Sequence, residues 1–140
     1  MIRSNLFHLL FGLLLLSLVA CKKDDDTTET PEPTTKTDFL TLQPWKPVSD
    51  KINGNELIQD CQKDDKYTFS DNGNHAIDFG PLRCNTELNV TNNTWAFANN
   101  ETTLVITAAD GSAIPYELIT VNRDSLVLKF GLEVITYLPY

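Results

Sequence analysis

The stretch from Cys61 to Cys84 constrains this chain most, because a clipped β-hairpin can be read there almost residue by residue. Tyr67-Thr68-Phe69-Ser70 alternates aromatic with polar, Asp71-Asn72-Gly73-Asn74 is a dense turn signal, and His75-Ala76-Ile77-Asp78-Phe79 alternates again before Gly80-Pro81 stops the strand. Two registers compete. A two-residue Asn72-Gly73 loop sets Tyr67 opposite Asp78, whereas a three-residue Asp71-Asn72-Gly73 loop with Gly73 left-handed sets Tyr67 opposite Ile77 and Phe69 opposite His75. The second is favoured because it gathers Tyr67, Phe69, Ile77 and Phe79 on one face. Cys61 lies before the first strand and Cys84 after the second, so a bridge between them would tie the open end of the hairpin.

At 140 residues the chain has room for one domain behind a leader. Residues 1–20 carry Arg3, the apolar run Leu6 to Val19 and small Ala20, the three parts of a secretory signal. That run is too short, and too promptly followed by charge, for a comfortable membrane span. The junction Leu18-Val19-Ala20-Cys21 resembles the bacterial lipobox, which implies that Cys21 is acylated and begins the mature chain. Cys61 and Cys84 then remain as an even pair in an exported, oxidising compartment. Two free thiols are the alternative, and nothing else metal-binding stands near them.

Residues 21–36 read as a tether. From Lys22 to Thr35 there is no apolar side chain, so this acidic segment is expected to stay extended and solvated. Lys23-Asp24-Asp25-Asp26 resembles the lysine-plus-acid export signal of some gram-negative lipoproteins. It implies the outer membrane and its outer face; a plain spacer is the alternative.

Residues 37–140 form the expected domain, in which short β-like runs alternate with turn clusters and no amphipathic helix of useful length is seen. Trp45 to Ile52 reads as a first strand that Pro44 and Pro47 confine to an edge or a bulged start. Glu56 to Lys63 has room for one helical turn. A polar loop from Pro81 to Asn93 has room for one irregular strand around Leu88 and Val90. Thr94 to Phe97, Thr103 to Thr107, Ile114 to Val121, Ser125 to Phe130 and Glu133 to Leu138 follow, separated by Asn, Asp and Gly turns. The fold class is all-β, an antiparallel up-and-down meander of about eight strands that must close or curl to cover its edges.

The residues also resemble a family. Trp45, Cys61 followed by Lys63-Asp64-Asp65 and Tyr67-Thr68-Phe69, Asp71-Asn72-Gly73, Cys84, Thr94-Trp95, Tyr116-Glu117-Leu118 and Ser125-Leu126-Val127-Leu128 look like the small lipocalin-like domains of bacterial surface lipoproteins. The resemblance covers residues 40–138. It implies a lipocalin-like barrel or strongly curled sheet whose inner face holds a small apolar ligand. Where lipocalins usually carry glycine two residues before the first-strand tryptophan, this chain has Gln43. Its last strand also lacks the arginine that lipocalins stack on that tryptophan.

Formal net charge is −8, which repels phosphate backbones and anionic head groups, so nucleic acid is not an expected partner and the membrane is met through the lipid on Cys21. Apart from His8 in the leader, His75 is the sole histidine, leaving no His-based metal set and no Ser/His/Asp arrangement. No enzyme activity and no cofactor are expected. In the favoured register His75 turns inward beside Phe69 near the hairpin tip, as a polar handle at a cavity mouth or as a half-exposed rim residue. Asp60, Asp64, Asp65 and Asp71 raise a calcium site near one end of the hairpin. Their spacing matches no known loop, and Lys63 and Lys66 neutralise them. Asn89, Asn92 and Asn100 begin Asn-x-Thr triplets, which read as turn composition in a bacterial protein.

The aromatic set is the stronger binding candidate. Trp45, Tyr67, Phe69, Trp95, Phe97 and Tyr116 fall on strand faces that alternation buries, and with His75 they are the expected ligand-binding residues. Small eight-stranded barrels either fill with such rings or leave a cavity among them. The leading expectation is a monomeric, outer-membrane-anchored, non-enzymatic lipoprotein that binds a small apolar or amphipathic molecule inside its barrel. The alternative is an accessory surface protein with a filled barrel that binds a partner protein or glycan through its loops or outer face.

Overall fold

Alternation and turn chemistry set the architecture of the computed structural model, which describes residues 32–84 and 90–140. The signal segment, Cys21, most of the tether, Leu88 and Asn89 lie outside the described residues. The folded unit runs from Glu32 to Tyr140. Its strands are β1 (Trp45–Ile52), β2 (Asn55–Glu56), β3 (Lys66–Phe69), β4 (Asn74–Asp78), β5 (Val90–Ala98), β6 (Thr103–Thr107), β7 (Ala113–Val121), β8 (Leu126–Phe130) and β9 (Glu133–Pro139). Each pairs antiparallel with its neighbour, and β1 also pairs with β9, so eight strands close a barrel while two-residue β2 is a short addition beside β1.

In such a meander the connections alternate between the two ends. The β1–β3, β4–β5, β6–β7 and β8–β9 connections share one end, called upper here. The β3–β4, β5–β6 and β7–β8 turns share the other with the entering chain.

The hairpin adopts the favoured register, with Tyr67 opposite Ile77 and Phe69 opposite His75. Gly73 has φ +84°, a left-handed conformation that suits a residue without Cβ. Its carbonyl accepts the Trp95 backbone N–H at 2.8 Å, hooking the tip onto β5. Cys61 and Cys84 are disulfide-bonded with Cα atoms 5.2 Å apart. They join the β1–β3 and β4–β5 connections, both at the upper end.

Two expectations are corrected. First, the domain does contain a helix: α1 (Lys36–Thr41) starts where the tether was expected to end. Thr35 caps it, its hydroxyl accepting the Asp38 N–H at 3.0 Å while the Asp38 carboxylate accepts the Thr35 N–H at 2.9 Å, a reciprocal capping box. Leu40 on α1 is fully buried, and its carbonyl accepts the Trp45 indole N–H at 2.9 Å. The helix packs on β3 and β7, and Lys36 Nζ donates to the Glu101 carbonyl on the β5–β6 turn at 2.6 Å. A six-residue helix thus closes the lower end, where the resemblance led one to look for an arginine.

Of the two readings of β1, an edge or a bulged start, the structure takes the bulge. Proline is accommodated by a bulge between Pro47 and Ser49, with Val48 as the extra residue, while the rest of β1 is laddered to β9. Pro47 lies opposite Tyr137 and Asp50 opposite Ile135, so both face inward although three residues apart. Second, β5 begins at Val90 and runs unbroken into Thr94 to Phe97, with no loop between them. Thr91, Asn92 and Asn93 are weak strand formers, but β4 offers each a ladder partner and that pairing overrides propensity. The helical turn expected between Glu56 and Lys63 is present as a 3-10 turn at Asp60–Gln62.

Candidate ligand cup in the barrel interior

Strand alternation aims one side chain in two into the barrel. At the lower end these pack solidly: Trp45, Leu104, Leu126 and Leu128 have essentially no exposure, and Phe69, Trp95 and Tyr137 are buried beside them. At the upper end the inward-facing side chains are not covered. Ile52 lies opposite Glu133, Ile114 opposite Ile106 and Phe130 opposite Glu133, yet these three expose 39%, 41% and 48% of their surface. The interior is therefore packed at its lower end and less covered at its upper end, a candidate cup whose floor is closed.

The seven expected binding residues divide between floor and wall. Trp45, Phe69 and Trp95 are committed to the floor. Phe69 meets Trp95 edge-on at 6.0 Å, and the Trp95 indole donates to the Ser70 carbonyl at 2.9 Å. Tyr67, Phe97 and Tyr116 are partly buried and pack on that floor from the wall. Tyr67 meets Tyr137 edge-on at 5.1 Å, and Tyr116 lies 6.0 Å from Phe130 at the mouth.

His75 is at neither a mouth nor a rim, because the β3–β4 turn belongs to the closed end. It is 1% exposed, stacked on Phe69 at 4.5 Å, with Nδ1 3.4 Å from Asn93 Nδ2 and Nε2 without a partner. Burial lowers its pKa to about 4, so the ring is neutral at physiological pH. The unfolded chain protonates near pH 6.5, so stability is complete above that value and is lost as pH falls toward 4. Between pH 7.5 and 5 the loss should be about 2 kcal/mol. Urea unfolding of His75→Gln is expected to lack this slope; an identical slope in both proteins would exclude His75 as its source. The comparison with the variant matters because the Asp65 and Glu133 carboxyls, both raised by burial, contribute with the opposite sign.

The acidic residues proposed for calcium are separated and occupied. Asp71 is on the β3–β4 turn, at the other end of the barrel from Asp60, Asp64 and Asp65. Asp60 pairs with Lys63 at 2.7 Å. Asp64 accepts the Leu82 N–H at 2.9 Å and Asp65 the Gly80 N–H at 3.3 Å, so these carboxylates bind the two upper connections to each other beside the disulfide. No group of three or more metal-ligating side chains occurs among the described residues. The same connections enclose a cleft of about 270 Å³ lined by Gln59, Gln62, Tyr67, Phe79, Leu82, Arg83 and both half-cystines. Through Tyr67 it shares a wall with the cup.

Sequence reasoning missed further interior groups: Asp50, Thr91, Glu133 and Tyr137. Asp50 Oδ1 and Thr91 Oγ1 are buried without a hydrogen-bond partner. Burial, then the Asp50 charge, then a hydrogen bond to Asp50 raise the Glu133 carboxyl. The Tyr67, Tyr116 and Tyr137 hydroxyls are also raised, first by burial and then by neighbouring charges or hydroxyls. The sequence signal for Asp50 is Pro47, beside which a bulge resets the phase of the strand.

Solved structures share this architecture. A lipocalin-like protein from Bacteroides uniformis ATCC 8492 matches with a TM-score of 0.56 at 10% identity, covering 70% of this chain and 96% of that one. An uncharacterized protein from Bacteroides eggerthii DSM 20697 matches with a TM-score of 0.56 at 8% identity, covering 70% and 98%. No curated protein matches the sequence. The sequence profile of the lipocalin-like domain matches residues 44–128, from the proline before β1 to the middle of β8. The chain belongs to the lipocalin-like domain family.

Proposed function

We propose that this protein is a lipid-anchored, non-enzymatic binding protein that carries a small apolar or amphipathic molecule in the upper half of its barrel. The observation that supports this best is the set of large apolar side chains left uncovered at the upper end. Ile52, Leu57, Leu82, Ile114, Phe130 and Leu132 are all exposed there, three of them facing inward. Apolar surface gathered at the mouth of a cup is what a guest with a hydrocarbon part would cover. Acylation of Cys21 and attachment to the outer membrane, on its cell-surface face, complete the reading and rest on the lipobox and the acidic segment after it.

The accessory-protein alternative draws support from Leu82, 56% exposed on the β4–β5 connection. The unpartnered polar atoms of the interior weigh against a filled barrel, because buried polar groups ordinarily find partners. Purified chain incubated with a lipid extract and re-isolated is expected to retain discrete small molecules by mass spectrometry. Phe130→Glu at the mouth should reduce their recovery severalfold. Recovery of nothing above a control protein would refute the reading.

A further inference from the structure

We propose that the cup selects organic cations, holding a positively charged nitrogen between Asp50 and Glu133 beneath a hydrocarbon part that reaches the apolar mouth. This rests on the cup reading above and adds the chemical class of the guest.

The bulge at Val48 turns Asp50 inward, and Glu133 lies across the β1–β9 ladder on the same face, diagonal to it. Two facing carboxyls alone would say little. Neither, however, takes part in an ion pair among the described residues. The nearby lysines point outward: Lys51 is exposed, and Lys129 is bound to Glu117 at 3.0 Å. Asp50 Oδ1 is left without a partner. A buried carboxylate oxygen in that condition is costly unless a donor arrives.

Independent observations point to the same guest. Tyr137, 6% exposed at the floor of the same interior, lies close enough to both acids to feel their charge. Its ring meets Tyr67 edge-on, and with Tyr116 these rings flank the two acids. Aromatic faces beside carboxylates suit an ammonium group, which they attract through the ring quadrupole. On the far side of Tyr67, His75 lies 6.0 Å away, buried and neutral, so it does not repel a cation. The interior thus offers negative charge, ring faces and acceptors, and the mouth offers apolar surface.

The test compares three guests that share one tail, below their micellar concentrations, by titration calorimetry on the full chain: dodecylammonium, dodecanol and dodecanoate. The ammonium compound is expected to bind at least tenfold more tightly than dodecanol, and dodecanoate more weakly than either. In the double variant Asp50→Asn, Glu133→Gln the ammonium advantage over dodecanol should vanish. Asp124→Asn on the β7–β8 turn should leave that advantage intact, which separates the cup from attraction to an acidic surface. Equal affinity for ammonium and alcohol in the unaltered chain, or an advantage that survives the double variant, would overturn cation selection while leaving apolar binding standing. Failure of all three compounds to bind would remove both readings. Should the double variant not fold, the head-group comparison in the unaltered chain still decides.

Discussion

Replacing Trp45 with alanine is expected to cost about 4 kcal/mol of unfolding free energy, the largest loss from any single substitution considered. Its indole is fully buried at the junction of β1, α1 and the floor, where neither the barrel wall nor the helix can collapse into the space left behind. The substitution also strips the Leu40 carbonyl of its indole donor. Trp45→Phe keeps one ring in the site while removing the indole donor and part of the indole's volume. It should cost less than alanine, roughly 2 to 3 kcal/mol, from the unsatisfied acceptor and the smaller cavity together. Urea unfolding followed by far-ultraviolet circular dichroism measures both. If Trp45→Ala lost less than about 1 kcal/mol, the floor could not be the stabilising centre of the fold.

The second large effect concerns the upper end. Replacing Cys61 and Cys84 together by serine should remove roughly 3 kcal/mol, the chain-entropy value for a closed loop of this size. The loss should be partly offset, because Asp64 and Asp65 still hold the Leu82 and Gly80 amides across the same gap. Asp64→Ala in the serine background should therefore cost more than Asp64→Ala in the crosslinked chain. A double-mutant cycle on denaturation midpoints reads that coupling. Additive losses would mean that the carboxylates and the sulfur bridge act on separate parts of the structure.

What the sequence disclosed follows from how local each determinant is. The hairpin register was legible because Gly73 and the aromatic alternation are both local and agree with each other. The all-β meander was legible because its turns are written in Asn, Asp and Gly. Helix α1 escaped because Lys36–Thr41 is too short to show periodicity. Its one signal was the spacing of Thr35 and Asp38, which is a cap only if a helix follows. The start of β5 escaped because Thr91 to Asn93 become a strand through their partner, not through their own preference. The acids of the cup escaped for a different reason. Plain alternation from Trp45 sends Asp50 to solvent, and only the inserted Val48 brings it inside. The wall residues Tyr67, Phe97 and Tyr116 were named in advance, but which rings the floor would consume depended on the helix beneath them.

The single bridge between β1 and β3, at Trp45 and Tyr67, has a mechanical consequence. Every other pair of neighbouring wall strands shares a ladder of four or more partners; here the wall has a seam, bridged above by a strap that runs from β2 through the 3-10 turn to the sulfur link. Separating the seam costs one bridge, whereas parting any other neighbouring wall strands costs a ladder. The strap sets how far that seam can part.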